Sequence, residues 1–329
     1  MKNLAIIGAG SWGTALSIVL APRFPQIKLW VLENDLAARM VTTRINDVFL
    51  PDTSIPANVE ITSNLAGATL GAGIVLTVTP SHVTRGVYQR LQPLIHPDTV
   101  FISATKGLEN GSLLRMSEMI SQVLGKVPVA VLSGPSFAKE VACLEPTALV
   151  AASAEPGLAE AVQAAFSGPN FRVYASDDPI GVEIGGSIKN VVAIGAGVLH
   201  GMGLGHNAMA ALITRGLAEI TRLAVAMGGK PQTLAGLAGL GDLVLTCTGD
   251  LSRNRTVGME LARGRKLEEI VSSMKMVAEG VKTTNVAVEL AKRYSVEMPI
   301  AEQMYQMLHF GCSPQQAIRR LMERSLKVE

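Results

Sequence analysis

The sequence predicts two domains, an α/β domain with a mainly parallel sheet followed by an all-helical domain. In the first half, strand-like apolar runs alternate with helix-like segments, the order that is typical of βαβ units. In the second half the strand signals nearly stop, and long apolar stretches with helical periodicity take their place. A chain of 329 residues is long enough for two domains of ordinary size.

The strand and helix signals of the first half follow one another regularly. The predicted strands are Leu4–Ile7, Ile27–Leu32, Val59–Thr62, Ile74–Thr79, Val100–Ala104, Val129–Leu132 and Ala148–Ala151. The predicted helices between them include Trp12–Leu20, Val83–Leu91 and Leu113–Leu124. The segment Ile45–Pro56 interrupts the alternation, and its two prolines predict a loop.

An aspartate followed by a proline marks the start of the second half. Asp178 suits the N-cap of a helix and Pro179 suits its first helical position. We therefore predict an α/β domain over residues 1–177 and an all-helical domain over residues 178–329. The main predicted helices of the second domain are Ile180–Leu199, Met209–Met227, Val277–Tyr294 and Ala301–Phe310.

One segment of the second half is long and apolar enough to be considered as a membrane span. No Lys, Arg, Asp or Glu lies between Lys189 and Arg215, and the length alone permits a span. The run nevertheless carries histidine and asparagine, and its middle is rich in glycine. We predict a buried helix, a glycine-rich turn and a second helix, without membrane insertion.

Composition and charge exclude several classes of protein. Hydrophobic residues make up 48% and charged residues 17%, which is a globular composition. The formal net charge of +2 argues against a nucleic-acid-binding protein, which usually has a basic face. The three cysteines have no C-x-x-C spacing, and the five histidines form no cluster of metal-ligand spacing. We expect no metal, no disulfide framework and a cytoplasmic, reducing location.

The first predicted strand leads directly into Gly8-Ala9-Gly10-Ser11-Trp12-Gly13, a G-x-G-x-x-G pattern. The pattern alone is weak, but a strand before it and a helix after it are the context in which it binds a dinucleotide. Gly8 allows the tight turn, Gly10 the approach of the pyrophosphate, and Gly13 close packing of helix on strand. The helix N-terminus then faces the phosphates. The first domain is predicted to be of Rossmann type; a glycine turn without ligand is the alternative.

The longer form of this pattern, Gly8–Leu16, resembles the bacterial-type NAD(P)-dependent glycerol-3-phosphate dehydrogenases. Further blocks similar to that family follow in the family's order over nearly the whole chain. They are Lys106–Glu109, Ser133–Glu140, Gly181–Glu183, Ser187–Val191, Ala210–Gly216, Gly236–Leu243, Thr246–Thr248, Ser252–Arg255, Val277–Gly280 and Met298–Pro299. Several are long and punctuated by glycine, so chance does not explain the match.

The resemblance implies a Rossmann-type domain joined to an all-α domain of the 6-phosphogluconate-dehydrogenase-like type, with cofactor and substrate meeting between them. It implies reversible hydride transfer between NAD(P)H and C2 of dihydroxyacetone phosphate. The product, sn-glycerol 3-phosphate, would serve phospholipid synthesis. The reaction needs no metal. A homodimer is expected, because two-domain dehydrogenases often pair through the helical domain.

Three charged residues match the family's catalytic positions. Lys189 lies mid-helix in an uncharged neighbourhood, where an unpaired lysine is costly, and we expect it to be the general acid and base. Asp242 is expected beside Lys189; a helix cap is its alternative role. Lys106 follows a parallel strand, where ligands bind in such sheets, and is expected to polarise the carbonyl oxygen and touch the cofactor.

The binding residues are also carried over from the resemblance. The implied substrate contacts are Lys106, Gly134, Ser136, Lys189, Asp242, Ser252, Arg253 and Asn254. The implied cofactor contacts are Gly8, Gly10, Ser11, Trp12, Gly13, Lys106, Ala138, Arg253, Val277 and Glu279. The planar guanidinium of Arg253 suits two phosphate oxygens at once. Without the family match, Ser252–Arg255 would be interpreted as a polar surface turn.

The chain departs from the family at the end of the second predicted strand. Many members have Trp-x-Arg there, and the arginine can meet the 2′-phosphate of NADP. Here Leu32 takes the arginine position and Glu33 follows it. A carboxylate at this spacing binds the ribose hydroxyls of NAD and repels a 2′-phosphate, which favours NADH. Arg39 and Arg44 are the cations that could compensate, and Glu33 could instead be a solvated residue.

Two other functions remain open from the sequence. The first is a dehydrogenase of the same layout that acts on another hydroxy acid or sugar phosphate; Ser252, Arg253 and Asn254 argue against it. The second is a nucleotide sensor without turnover. The joint presence of Lys189, Lys106 and Asp242 speaks against a sensor.

Overall fold

The computed structural model describes residues 3–274 and 276–326. The described chain divides into two compact units. The first comprises Met1–Lys106 and Leu114–Glu183, and the second comprises Gly107–Leu113 and Ile184–Glu329. The first unit is α/β and the second is helical, as the sequence predicts.

The described part of the first unit contains ten strands. They are β1 (Asn3–Ile7), β2 (Ile27–Trp30), β3 (Ile45–Asn46), β4 (Leu50–Ser54), β5 (Val59–Thr62), β6 (Ala72–Thr77), β7 (Val100–Ser103), β8 (Val129–Ser133), β9 (Thr147–Ala152) and β10 (Phe171–Ser176). Eight of them make one sheet in the order β10-β9-β8-β7-β6-β1-β2-β5. Every pair in it is parallel except β8 with β9, so the sheet is mainly parallel, as predicted.

The strand order reverses at β1, which pairs with β2 on one side and β6 on the other. Ligands of open parallel sheets bind beyond the carboxyl ends of the strands at such a switch point. Gly8 follows β1 at this edge, and Lys106 and Gly134 follow the parallel strands β7 and β8 at the same edge. The topology therefore gathers the predicted residues of this unit at one edge of the sheet.

Helices cover both faces of the sheet. They are α1 (Ser11–Leu20), α2 (Asn34–Thr43), α3 (Leu65–Thr69), α4 (Ser81–Leu91), α5 (Met116–Leu124), α6 (Ala138–Ala142) and α7 (Leu158–Phe166). Alternate residues of each central strand enter separate cores, because successive side chains point to opposite faces. In β1, Leu4 and Ile6 pack in one core, while Ala5 and Ile7 pack in the other.

The prediction of a loop over Ile45–Pro56 is wrong. Strands β3 and β4 form an antiparallel two-stranded sheet within it. The prolines suggested a loop, but Pro51 is exposed in a strand of a two-stranded sheet. Each strand of such a sheet has one edge without a partner strand, so a proline that lacks an N–H is tolerated there. The second predicted strand is also too long, because Ile27–Leu32 is extended only as far as Trp30. Strand β10 was not predicted.

The second unit is built from helices. They are α8 (Pro179–Gly201), α9 (His206–Ala226), α10 (Pro231–Ala235), a π-helical turn (Leu237–Gly241), α11 (Asp242–Thr248), α12 (Arg253–Ala262), α13 (Leu267–Ser273), α14 (Glu279–Arg293), α15 (Pro299–Phe310) and α16 (Pro314–Met322). No strand occurs between residues 184 and 326 where the chain is described. The helix start predicted at Asp178 and Pro179 is confirmed, because Asp178 Oδ1 accepts a hydrogen bond from the Gly181 N–H (2.8 Å).

Helix α8 is long and apolar enough to cross a membrane, but its apolar window is wholly buried within the protein. It is the core helix of the second unit, and its last turn ends at Gly201. A turn containing Gly203 and Gly205 follows, and α9 begins at His206. The predicted sequence of buried helix, glycine-rich turn and second helix is confirmed.

A buried ion pair anchors the beginning of α8 inside the first unit. Arg115 Nη1 lies 2.5 Å from Glu183 Oε2, and both side chains are at most 10% exposed. The backbone N–H of Ser117 donates to Glu183 Oε1 (2.8 Å), and the Ser117 hydroxyl bonds Glu183 Oε2 (2.6 Å). Burial raises the pKa of the Glu183 carboxyl, while Arg115 and Ser117 oppose the rise. Glu183 lies in one of the family-like blocks, but its partner could not be predicted.

Candidate active site

The turn between β1 and α1 is shaped by contacts of backbone with backbone. Gly8 has a φ of +115°, and a Cβ there would lie 2.8 Å from the Val78 carbonyl oxygen. A Cβ on Gly13 would lie 1.8 Å from the Gly8 carbonyl oxygen. Gly10 faces open space and is the N-cap of α1, which no side chain caps. The turn therefore leaves room for phosphate groups at an uncapped helix N-terminus.

Two polar side chains adjoin this turn in different ways. Asn46, fully buried in β3, donates to the Ala9 carbonyl oxygen and to Thr14 Oγ1, both at 2.8 Å. The hairpin missed from the sequence thus braces the glycine turn. The Trp12 indole N–H is buried and has no hydrogen-bond partner within the described chain. Because a buried donor without a partner is costly, Trp12 fits a position beside a ligand with acceptor oxygens.

Lys106 lies close to two other predicted substrate contacts. Its Nζ donates to the Gly134 carbonyl oxygen (2.7 Å) and to Ser136 Oγ (3.2 Å). The Ser136 hydroxyl also reaches the Gly134 carbonyl (2.9 Å). Gly134 has a φ of +138°, and a Cβ there would crowd the Leu149 backbone at 3.1 Å. The structure brings Lys106, Gly134 and Ser136 together at the sheet edge, next to Ala138, the first residue of α6.

The residues that bear on the choice between NADH and NADPH lie near the end of β2. Leu32 is 63% exposed, and Glu33 is exposed at the N-cap of α2. Both candidate compensating arginines are engaged elsewhere. Arg39 pairs with Asp47 (2.9 Å). The guanidinium of Arg44 donates to the carbonyl oxygens of residues 55, 56 and 59.

The second unit brings Lys189 and Asp242 into direct contact. Lys189 Nζ is hydrogen-bonded to Asp242 Oδ1 and to Thr246 Oγ1 (2.7 Å). Thr246 in turn donates to the Asp242 backbone carbonyl (2.6 Å). Lys189 is only 4% exposed and Asp242 only 1%. The ammonium is therefore held in a low-dielectric pocket by an ionic and a neutral acceptor, where such contacts are strong.

Thr246 was missed as a site residue, although its spacing gave a usable signal. It follows Asp242 by four residues, which places the two side chains on one face of α11. Cys247, next in the chain, is core, as predicted: burial raises the pKa of its thiol to about 12, so it is neutral at ordinary pH.

The predicted phosphate-binding residues lie at the start of α12. Asn254 Oδ1 accepts from the Gly280 N–H (3.0 Å), and Asn254 Nδ2 donates to Asn190 Oδ1 (2.9 Å). The orientation of both amides is thereby fixed. Asn190 had no role assigned from the sequence, although it directly follows Lys189. Arg253 is exposed, and its Nη1 donates to the Val277 carbonyl oxygen (3.0 Å).

Ser252 and Glu279 occupy helix starts. The Ser252 hydroxyl caps α12 by accepting from the Arg255 N–H (3.3 Å), which is a structural role. Glu279 is the first residue of α14 and is half-buried, and Val277 precedes it. Arg253 places a cation at the N-terminus of α12, an arrangement that suits an anion, while the Glu279 carboxylate at the start of α14 interacts with that cation.

The described residues contain no group of His, Cys, Asp or Glu that could hold a metal ion. Cys143, Cys247 and Cys312 are free thiols. In the second unit, Lys189 and Asp242 are placed to transfer a proton, and the start of α12 is placed to bind an anion.

Comparison with protein families matches both parts of the chain. The model described as the N-terminus of NAD-dependent glycerol-3-phosphate dehydrogenase matches residues 3–159. The model described as the C-terminus of the same enzyme matches residues 178–319.

Similar proteins and structures agree with the family match. A glycerol-3-phosphate dehydrogenase [NAD(P)+] of Koribacter versatilis is 54% identical, over 100% of this chain and 99% of that protein. One of Geobacter sulfurreducens is 51% identical over the same shares. The crystal structure of glycerol-3-phosphate dehydrogenase from Coxiella burnetii has a TM-score of 0.94 and 43% identity, covering 98% of this chain and 99% of that one.

Proposed function

The chain belongs to the NAD-dependent glycerol-3-phosphate dehydrogenase family, and we propose from that premise which residues carry the reaction. The reaction is reversible hydride transfer between NAD(P)H and C2 of dihydroxyacetone phosphate, which gives sn-glycerol 3-phosphate. The observation that carries the residue assignment is the buried contact of Lys189 with Asp242 and Thr246. A buried, paired lysine in a mostly apolar helix has the properties of a general acid and base.

Lys189 exchanges the proton of the reaction. During reduction its ammonium donates a proton to the oxygen on C2, and during oxidation the amine takes that proton back. Asp242 and Thr246 fix the position of Nζ by accepting hydrogen bonds from it. When bound, the nicotinamide supplies or accepts the hydride. Asp242 also stabilises the charged ammonium and so keeps the acid form available.

The start of α12 binds the substrate phosphate. Asn190 accepts one hydrogen of Asn254 Nδ2, and the second hydrogen, which has no acceptor among the described residues, is a donor for the phosphate. Arg253 offers a guanidinium that matches two phosphate oxygens. Lys106, with Gly134 and Ser136, supplies a further cation and hydroxyl for the substrate.

The cofactor pyrophosphate binds at the glycine turn of the first unit. The N-terminus of α1, with Ser11 and Trp12, supplies the donors, and Gly10 leaves space for the approach. Ala138, Val277, Glu279 and Arg253 are proposed as further cofactor contacts because they match family positions. NADH is the preferred cofactor, since Leu32 offers no cation and Arg39 and Arg44 are engaged.

The substrate assignment is tested by the dependence of turnover on the phosphate. NADH oxidation is measured with dihydroxyacetone phosphate and with unphosphorylated dihydroxyacetone. We expect kcat/KM to be at least about a hundredfold higher for the phosphate ester, because two or more charge-assisted bonds are lost without it. Equal turnover of the two substrates, or turnover of a 2-hydroxy acid instead, would contradict the assignment.

The cofactor assignment is tested by kcat/KM for NADH and NADPH. We expect NADH to be preferred, and Leu32→Arg to improve use of NADPH by roughly tenfold, because a guanidinium offers the 2′-phosphate a charge-assisted bond. A strong preference of the wild-type enzyme for NADPH would overturn the argument from Glu33.

The biological setting follows from the product. sn-Glycerol 3-phosphate is a precursor of phospholipids, so the enzyme serves phospholipid synthesis, and we place it in the cytoplasm as a homodimer. A mass of about twice 34.6 kDa by light scattering would support the dimer, and a monomeric mass would contradict it.

A further inference from the structure

Helix α8 touches the π-helical turn through a glycine one turn before Lys189. A Cβ built on Gly185 would lie 2.6 Å from the carbonyl oxygen of Ala238 and 3.3 Å from its carbonyl carbon. Ordinary contacts of a Cβ begin at about 3.4 Å, and the neighbour here is backbone, which cannot rotate away. A side chain at Gly185 would therefore separate α8 from the turn by several tenths of an ångström.

The π-helical turn positions Asp242 beside Lys189. Its i to i+5 hydrogen bond runs from the Gly241 N–H to the Gly236 carbonyl (3.1 Å), and Asp242 is the next residue along the chain. The turn is as tight as backbone permits, because a Cβ on Gly239 would lie 2.1 Å from the Leu234 carbonyl oxygen. Single π-helical turns are frequent at functional sites.

We propose that Gly185 is a positioning residue that acts as a zero-length spacer between α8 and the π-turn, holding Lys189 and Asp242 at bonding distance. The two contacts share the same pair of segments. Gly185 precedes Lys189 by four residues, and Ala238 precedes Asp242 by four residues, so a change at the first contact is transmitted to the second. This inference rests on the proposed role of Lys189 as the general acid.

Separation of α8 from the π-helical turn would weaken proton transfer by Lys189 rather than binding of the cofactor. Asp242 accepts a hydrogen bond from Lys189 Nζ, and Cys247 lies within electrostatic range of Lys189, Asp242 and Arg255. Cys247 stays neutral, so the carboxylate of Asp242 is a negative charge in contact with the ammonium that stabilises its protonated form. With the carboxylate displaced, the proton leaves at lower pH and the oxygen on C2 loses its aligned donor.

The test compares Gly185→Ala with Gly195→Ala in the whole enzyme. Gly195 lies on the same helix, but a Cβ there meets only side-chain ends, Leu212 at 3.4 Å and Met304 at 3.5 Å. Both changes add one methyl group and the same helix propensity. For Gly185→Ala we expect kcat for dihydroxyacetone phosphate reduction to fall roughly ten- to hundredfold. The alkaline limb of its pH–rate profile should move to lower pH, with the NADH Kd within about twofold of wild type.

A rescue experiment separates positioning from general damage. Asp242→Glu lengthens the carboxylate arm by one methylene, so it should lower kcat in the wild-type background and partly restore it in Gly185→Ala. If loss of helical circular dichroism shows that Gly185→Ala is unfolded, Gly239→Ala is tested in its place, because a methyl group on Gly239 displaces the same π-helical turn. A folded variant of either kind with wild-type kcat and pH profile would overturn the proposal. Absence of turnover in the wild-type enzyme would instead refute the proposed function.

Discussion

The glycine turn of the first unit is built from backbone, whereas the lysine cluster of the second unit, which consists of Lys189, Asp242 and Thr246, is built from side chains. The turn presents backbone N–H groups to an anion, and its geometry depends on side chains being absent at Gly8 and Gly13. The cluster depends on side chains being present, since Lys189 is held by Asp242 and Thr246 from a helix more than 50 positions along the chain. The glycine turn is therefore damaged by adding a side chain at Gly8 or Gly13, whereas the lysine cluster is damaged by removing a side chain.

This difference predicts that the two regions fail in separate measurements. Damage to the glycine turn should appear in cofactor affinity. Damage to the lysine cluster should appear in kcat, with cofactor affinity preserved.

Gly13→Ala should break the first region most severely. The added methyl would lie 1.8 Å from the Gly8 carbonyl oxygen, so the turn must open and the helix N-terminus must move. We expect the NADH Kd, measured by quenching of protein fluorescence, to rise at least about a hundredfold. Misplacement of a binding group by about 1 Å can have an effect of that size. Gly86→Ala on α4 is the control, since nothing lies within 4 Å of a Cβ there. Wild-type affinity in Gly13→Ala would show that the turn does not bind the cofactor.

Arg253→Ala should raise the KM for dihydroxyacetone phosphate roughly ten- to hundredfold. Loss of a hydrogen bond to a charged group costs about 1.5–3 kcal/mol. Arg253→Lys should recover part of the loss, because it keeps the charge but not the planar fork. Arg320→Ala, an exposed arginine of α16, serves as the control. An unchanged KM in initial-rate assays of Arg253→Ala would remove it from the phosphate site.

Glu219 is a buried carboxylate that lies outside the proposed site. It accepts from the Ile300 (2.8 Å) and Ala301 (3.3 Å) N–H groups at the start of α15. Burial raises its pKa to about 7, opposed by these bonds and by Arg222. The folded state therefore binds an extra proton between about pH 4.5 and 7, and the stability from that proton is lost as pH rises through this window.

We expect Glu219→Gln to remove that pH dependence. The free energy of unfolding of wild type relative to the variant should fall by on the order of 2–3 kcal/mol between pH 5 and 8. Urea titrations at several pH values measure it, and Glu289→Gln, exposed on α14, should follow the wild type. A pH-independent difference between wild type and Glu219→Gln would mean that the carboxyl does not titrate in this range.

The same contrast explains how much could be predicted from the sequence. The glycine turn is local, so a strand, three glycines and a helix sufficed to predict it. The mainly parallel sheet and the long helices follow from periodicity. Asp242 was placed beside Lys189 only through the family resemblance, because no local pattern joins residues so far apart in the chain.

The parts that were missed all depend on tertiary contacts. Asn46 holds the glycine turn by a hydrogen bond from the β3–β4 hairpin. The sequence predicted a loop there, because the two prolines concealed the two-stranded sheet. Thr246 and Asn190 gained roles only when their partners were seen. The π-turn has no periodicity signal of its own. Its glycines fit a tight turn, but the contact of Gly185 with Ala238 comes from packing between segments.

We propose that Lys189 transfers the proton, whereas the glycine turn of the first unit binds the cofactor pyrophosphate. The direct test is Lys189→Ala, with kcat for NADH-dependent reduction of dihydroxyacetone phosphate and the NADH Kd measured on the same preparation. We predict that kcat falls at least about a hundredfold, that added primary amines restore part of it, and that the NADH Kd stays near the wild-type value. A folded Lys189→Ala enzyme with near-normal kcat, or one that loses NADH binding in proportion to activity, would show that Lys189 is not the group that transfers the proton.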